Sequence, residues 1–213
     1  MATKKEESKE IIIPAIDIRR ITLKIVGDSP LIMHAWDEKV KREMLDKQMG
    51  KAKTKRHELR DPVREFINSM YWLDGAPEEG TEEGFINAIN SGRARFGFPA
   101  TGLKSSAVSA GYRAKVTKDK VSMYGAFHIN SQYIEINGTP EMREDMVRVG
   151  MGVADLRYRG EFKDWNSEVN VRYNAGAITA EQLVNLFNLG GFACGIGEWR
   201  VEKAGMNGMY HVG

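Results

Sequence analysis

Ala154 to Tyr210 reads ADLRYRGEFKDWNSEVNVRYNAGAITAEQLVNLFNLGGFACGIGEWRVEKAGMNGMY, and this stretch decides the fold. Trp165 is followed by Val169, Val171 and Tyr173 on one parity, with Glu168, Asn170 and Arg172 on the other, which is the period of a half-buried strand. Asp155 to Tyr158 alternates in the same way. The run Thr179-Ala-Glu-Gln182 has capping-box spacing, so a helix starts there, with Leu183, Leu186, Phe187 and Gly190 at helical intervals. Gly190-Gly191 is expected to stop that helix, because glycine accepts the left-handed conformation at little cost, and a second strand is expected near Ala193 to Val201.

Gly190, Gly191, Gly195, Gly197, Gly205 and Gly208 crowd into 19 positions. They serve either as turns and bulges of a small antiparallel sheet or as places where the backbone approaches another backbone or a phosphate. No GxxxxGK[ST] is present. The glycines also follow a helix instead of opening one, which removes the dinucleotide-binding fingerprint from consideration.

Upstream, Arg20 to Val26 alternates with Ile21, Leu23 and Ile25 on one face, and Gly27-Asp-Ser-Pro30 ends this strand. Leu31-Ile-Met33 leads to His34 and Trp36, which either stack on bases or serve as a helix cap and a packed ring. Between Lys39 and Arg60, nine basic residues (Lys39, Lys41, Arg42, Lys47, Lys51, Lys53, Lys55, Arg56 and Arg60) stand against three carboxylates. Such a cluster is an electrostatic footprint for phosphate or a solvated face. Gly50 splits it into a helical half and a second half, KAKTKRH. Asp61-Pro62 starts another helix, Asp74 to Glu83 reads as an acidic surface loop, and Phe85, Ile86 and Ile89 form a short helical piece. Ala100 to Ala114 presents Leu103, Ala107 and Ala110 or Gly111 as a small-residue helix face. Two short strands follow, Ala126 to Ile129 and Gln132 to Ile136, closed by a hairpin-type Asn137-Gly138, with Met146 to Val149 pairing nearby. Residues 1–14 are expected to form a flexible arm, in which Ile11-Ile-Ile13 pairs as an edge strand or docks on a neighbouring subunit.

The segments Leu156-Arg-Tyr-Arg-Gly-Glu-Phe-Lys-Asp-Trp165, Ile178-Thr-Ala-Glu-Gln-Leu183 and Gly195-Ile-Gly-Glu-Trp-Arg-Val-Glu-Lys203 resemble a family of phage and prophage proteins. That family is similar in turn to the RAMP superfamily, the glycine-rich-loop proteins of CRISPR ribonucleoproteins, and above all to their backbone subunits. Ile21 to His34 and the region from Phe98 to Gly111 fit the same pattern. The resemblance implies an α+β fold: a ferredoxin-like, RRM-like antiparallel sheet with helices on one face and a basic insertion, about 37–95, after the first strand. It implies a single domain over 15–213. It also implies contact with single-stranded DNA or RNA through His34, Trp36 and the basic insertion, through Lys104, Tyr112, Arg113, Lys115, Lys118 and Lys120, and through Arg157, Arg159, Gly195, Gly197 and Arg200 of the glycine-rich block. Backbone subunits stack side by side, so a homo-oligomer along the strand, as filament or ring, belongs to the same expectation.

Composition sets the outer bounds. With 213 residues, 42% apolar and 28% charged, the chain is an ordinary globular length and mix, and one cysteine, Cys194, cannot form an internal disulfide. No apolar run approaches membrane-span length, so a cytoplasmic protein without a membrane partner is expected. His34, His57, His128 and His211 make no HxH or HxxxH, no GxSxG occurs, and no cofactor motif is present, so a non-catalytic binding protein is the leading expectation. Two catalytic alternatives stay open: magnesium held by Asp155, Glu161 and Asp164, and a RAMP-type nuclease using His34. A phage structural or assembly protein that reuses the fold is a further alternative.

Overall fold

The alternation of β1 (Ile18–Gly27) buries Leu23 and Ile25 and leaves Arg20, Thr22 and Lys24 in solvent. The structure, a computed structural model, describes residues 13, 15–36, 38–50, 59–149 and 152–213. Beyond β1 these residues form β2 (Leu31–Met33), α1 (Glu38–Gln48), α2 (Pro62–Asn68), β3 (Tyr71–Trp72), α3 (Glu82–Asn90), β4 (Phe96–Pro99), α4 (Ala100–Arg113), α5 (Lys120–Ala126), β5 (Phe127–Ile129), β6 (Tyr133–Ile136), β7 (Pro140–Val149), β8 (Val153–Phe162), β9 (Asn166–Asn174), α6 (Ala180–Ala193) and β10 (Tyr210–Val212).

The four-stranded sheet has the order β10-β1-β9-β5, with every neighbouring pair antiparallel. Along the chain these strands alternate with α4 and α6 in the sequence β1-α4-β5-β9-α6-β10, so the α+β core is a βαββαβ unit with the ferredoxin-like strand order. Both helices cover one face. Leu103, Ala107 and Val108 of α4 and Leu183, Leu186 and Phe187 of α6 join Leu23, Ile25, Val169, Val171 and Tyr173 of the strands in one core. Burial of these side chains is the main stabilising term, at about 1.5–3 kcal/mol for each large one.

Two excursions interrupt the core, residues 28–99 between β1 and α4 and residues 130–165 between β5 and β9. They fold against each other as two three-stranded sheets, β2-β8-β7 and β3-β4-β6. Phe96 packs on Trp72 at 4.8 Å and on Phe162 at 5.2 Å between ring centroids, so an aromatic cluster joins them. Beyond α1, the described residues of the expected basic insertion form helices and strands whose Phe66, Ile67 and Met70 join the common core.

Several local expectations hold. Thr179 Oγ1 accepts from the Gln182 amide at 3.1 Å while Gln182 Oε1 accepts from the Thr179 amide at 3.0 Å, which completes the capping box. Asp61 caps α2, with Pro62 in its first turn.

Others need correction. Gly190-Gly191 does not end α6, which runs on to Ala193. An added Cβ on Gly190 would lie 2.8 Å from the Ala107 backbone, and one on Gly191 would overlap the Tyr210 carbonyl. The glycines therefore admit α4 and β10 against the helix instead of terminating it. No strand occupies Ala193 to Val201; the chain there turns through Gly195 and Gly197 to a short 3₁₀ turn, Val201–Lys203. Asn137-Gly138 closes no hairpin, because β6 pairs with β4 and β7 pairs with β8. The segment instead carries the chain between sheets, with Asn137 bridging to Asn166. The strand expected from Met146 begins at Pro140, and the basic stretch before β5 contains α5, capped by Asp119, where no helix was expected. Residues 1–12, Pro14, and Lys51, Lys53, Lys55 and Arg56 lie outside the described residues. Ile13 is exposed and in no strand.

Candidate functional site

The face of the four-stranded sheet turned away from α4 and α6 carries Arg20, Thr22 and Lys24 of β1, Glu168, Asn170 and Arg172 of β9, and His128 of β5, all exposed. Register sorts them into rows. Lys24 faces Glu168, and Thr22 faces Asn170, donating its hydroxyl to Asn170 Oδ1 at 2.8 Å. In the next row Arg20 faces Arg172, and Arg172 faces His128. Lys104 reaches round the β5 edge from α4, bringing its Nζ to 3.5 Å from His128 Nδ1 and donating to the Tyr124 carbonyl at 2.7 Å. Burial, then Lys104 and Arg172, hold the His128 imidazole below its ordinary value. No carboxylate stands in this row, and neither Arg20 nor Arg172 has a carboxylate partner among the described residues. The sequence does not reveal the row because its members come from three distant segments; the available signals are Arg20 and Arg172 on the polar parities of β1 and β9.

The C-terminal end of α4 gathers a second set. Tyr112 is exposed, Lys120 Nζ sits 5.4 Å from its ring centroid, and Lys115 and Lys118 are exposed without a carboxylate partner among the described residues. Arg113 differs, pairing with Glu202 at 2.7 Å. Of this part of the expected site, Tyr112 and Lys120 are in contact, and Lys115 and Lys118 lie in the turn between them. Lys104, with its amine against Tyr124 and the Phe127 ring, is half-buried, and burial lowers its pKa.

His34, Arg157 and Arg159 enter a different environment. Asp145 of β7 accepts from Arg143 Nε at 2.9 Å, from Arg159 Nη1 at 3.1 Å and from Trp199 Nε1 at 3.3 Å, while Arg143 also binds Glu161 at 2.7 Å. Burial opposes ionisation of Asp145, but the hydrogen bonds from Arg143 and Arg159 overcome it and hold the carboxyl below its usual range. Arg159, only 6% exposed, turns its Nε to His34 Nδ1 at 2.9 Å. A guanidinium only donates, so Nδ1 accepts and the His34 proton sits on Nε2. Burial, then Arg159, lower the His34 pKa. With one ring nitrogen engaged and the other protonated, His34 has no free lone pair to act as a general base. Arg159 is likewise spent inside the protein and is not an accessible phosphate contact. Arg157 pairs with Asp155 at 2.9 Å, and Arg60 binds Glu65, Asp155 and the Leu156 carbonyl.

Trp36 is exposed just beyond β2, and Lys39, Lys41 and Arg42 lie on α1, remote in sequence from the α4 set. Gly195 (φ +67°) and Gly197 (φ +79°) need the left-handed region, and a Cβ on Gly197 would sit 2.5 Å from the Ile32 carbonyl. Their close approach is to the chain's own backbone. Arg200 is taken by Glu202 at 3.2 Å and the Gly197 carbonyl at 3.1 Å.

Asp155 and Glu161 stand six residues apart on β8, about 20 Å, and each is bound to arginine. Among the described residues no group of three or more His, Cys, Asp or Glu is placed to hold a metal ion. A cleft of about 380 Å³ between α5 and α6 is lined by residues such as Val116, Met123, Ile178 and Leu189, with no ionisable side chain. Burial raises the Cys194 thiol, which suits a packed sulfur and not a nucleophile. Among the described residues no helix is long and apolar enough to cross a membrane.

No protein-family model matches the chain, and no curated protein matches it. Among solved structures it is similar to the crystal structure of Cmr6 from Pyrococcus furiosus, with a TM-score of 0.43 and 9% identity over 93% of this chain and 100% of that one. A likeness of that degree leaves function open.

Proposed function

We propose that this protein binds single-stranded nucleic acid without catalysing a reaction on it, and that copies of it assemble along the strand. The observation that carries the reading is the set at the end of α4: an exposed Tyr112 ring with the Lys120 amine against it, and exposed Lys115 and Lys118 in the turn between them. An exposed ring offers a stacking surface for any base, and amines without carboxylate partners bind phosphates by releasing counterions. Trp36 and the basic residues of α1 and of 51–58, with Lys51, Lys53, Lys55 and Arg56, extend the contact in this reading. Exposed Ile13, Ile16 and Phe192 give apolar points for contact between copies, and a repeated head-to-tail contact makes a filament or a ring. The sequence resemblance to phage and prophage proteins favours a role in phage DNA or RNA metabolism.

Anisotropy titration of labelled oligothymidylate and oligouridylate at several salt concentrations tests the reading. Neutralising about four to six phosphates gives a log–log salt slope of about −3 to −4, with little dependence on base sequence. A salt-independent complex, or a strong preference for one duplex, contradicts it. A low 260-to-280 nm absorbance ratio together with strand-independent assembly would favour a structural role in the particle instead.

A further inference from the structure

We infer that the open face of the β10-β1-β9-β5 sheet is itself a phosphate-binding surface for a nucleic-acid strand, anchored by the cross-strand row Arg20, Arg172 and His128. The identity of the ligand rests on the proposed function; the anionic chemistry rests on the row alone.

Like charges directly opposite one another across antiparallel strands destabilise a sheet, and opposite charges stabilise it. This protein uses both arrangements on one surface. Lys24 faces Glu168, whereas two residues back along β1 from Thr22 the sheet sets Arg20 against Arg172 and Arg172 against His128. A second arginine pair in the same molecule shows how such a clash is relieved internally. Arg143 faces Arg159 across β7 and β8, and there Asp145 lies between them while Glu161 takes the remaining charge of Arg143. The Arg20 row has no such carboxylate. Its positive field is left for an anion from outside, and Lys104 extends it past the β5 edge.

The surroundings narrow the anion. The adjacent row, Thr22 and Asn170, supplies neutral donors and acceptors, while the open parity of β1 and β9 carries no aromatic ring. Such a surface grips phosphate and sugar and leaves the bases unread. Lys104 lies eight residues from Tyr112 on the same helix, about 12 Å along its axis, so one strand can run from the sheet to the stacking ring. A bound phosphate would also draw His128 toward its protonated form, against the present influence of Lys104 and Arg172.

The test uses the full chain with Arg172→Glu and Arg172→Gln. Arg172→Glu sets a carboxylate opposite Arg20, so it is expected to weaken oligothymidylate binding about tenfold and to flatten the salt slope by about 1. At the same time it should raise Tm by about 1–3 °C. Arg172→Gln should lose less affinity and keep or slightly raise Tm. Unchanged affinity in both variants overturns the inference, as does a loss of affinity accompanied by a fall in Tm in both. If the unaltered protein binds neither oligonucleotide, the proposed function fails and the row is read with inorganic polyphosphate: a shift of the His128 resonance, absent in Arg172→Glu, upholds an anion site, and no shift removes it.

Discussion

Two arginine pairs sit opposite one another in this molecule, and they lead different lives. Arg143 and Arg159 face each other across the β7–β8 ribbon, where Asp145 accepts from both and His34 accepts from Arg159. Arg20 and Arg172 face each other across β1 and β9 with no carboxylate partner among the described residues. The first pair belongs to a closed network whose charges cancel inside the protein. The second presents its charge to solvent. Composition counts all four arginines alike; pairing separates those that hold the fold from those free to hold something else.

The largest expected effect lies on the closed side. Asp145→Ala leaves Arg159 buried without its counter-charge, which should cost about 3–5 kcal/mol in urea unfolding while the remaining folded protein keeps its affinity for oligonucleotide. A loss below about 1 kcal/mol would mean that the network is not what neutralises its arginines, and the contrast between the pairs would dissolve. The charge reversal at Arg172 comes next in size, with the opposite signature of weaker binding and undiminished stability.

A smaller effect follows from His34. Its folded pKa lies below the ordinary value of about 6.5, so above that pH neither state carries the proton and its contribution is constant. As pH falls through about 6.5 the unfolded chain takes up a proton that the folded protein does not, and stability declines. His128 acts in the same direction. Thermal unfolding between about pH 7 and pH 5 should therefore show a decline that is shallower in His34→Gln. Saturating oligonucleotide should remove the His128 part and leave the His34 part. A decline that is equally steep in His34→Gln would place the titrating group elsewhere.

Much of the core was legible from residues alone. The alternation of β1 and β9, the Thr179 capping box and the small-residue face of α4 each arise from local rules, and local rules survive translation into structure. Gly190-Gly191 points to a helix stop that does not occur, because a glycine that ends a helix and one that admits a neighbouring backbone look the same until Tyr210 and Ala107 are placed beside it. β7 is longer than its sequence suggests because PEMREDMVRV shows no apolar alternation; its inward position at Asp145 is filled by an ion network, not by a hydrophobic side chain. KVSMYGA is too brief to reveal helical period, which concealed α5. For the site, the α4 set lies within one stretch and could be found. Arg20, His128 and Arg172 share no motif and become neighbours only through strand order, while Arg159 is held inward by Asp145 of β7 and His34 in turn by Arg159 of β8.

Following the four histidine resonances by NMR while a short oligothymidylate is added tests the central claim most directly, because one residue reports on each side of the contrast. The account predicts that the His128 signal moves and its pKa rises on binding, while His34, held by Arg159, keeps both its shift and its depressed pKa. A His34 signal that responds while His128 stays still would contradict it, and would place the ligand on the ribbon instead of the open sheet.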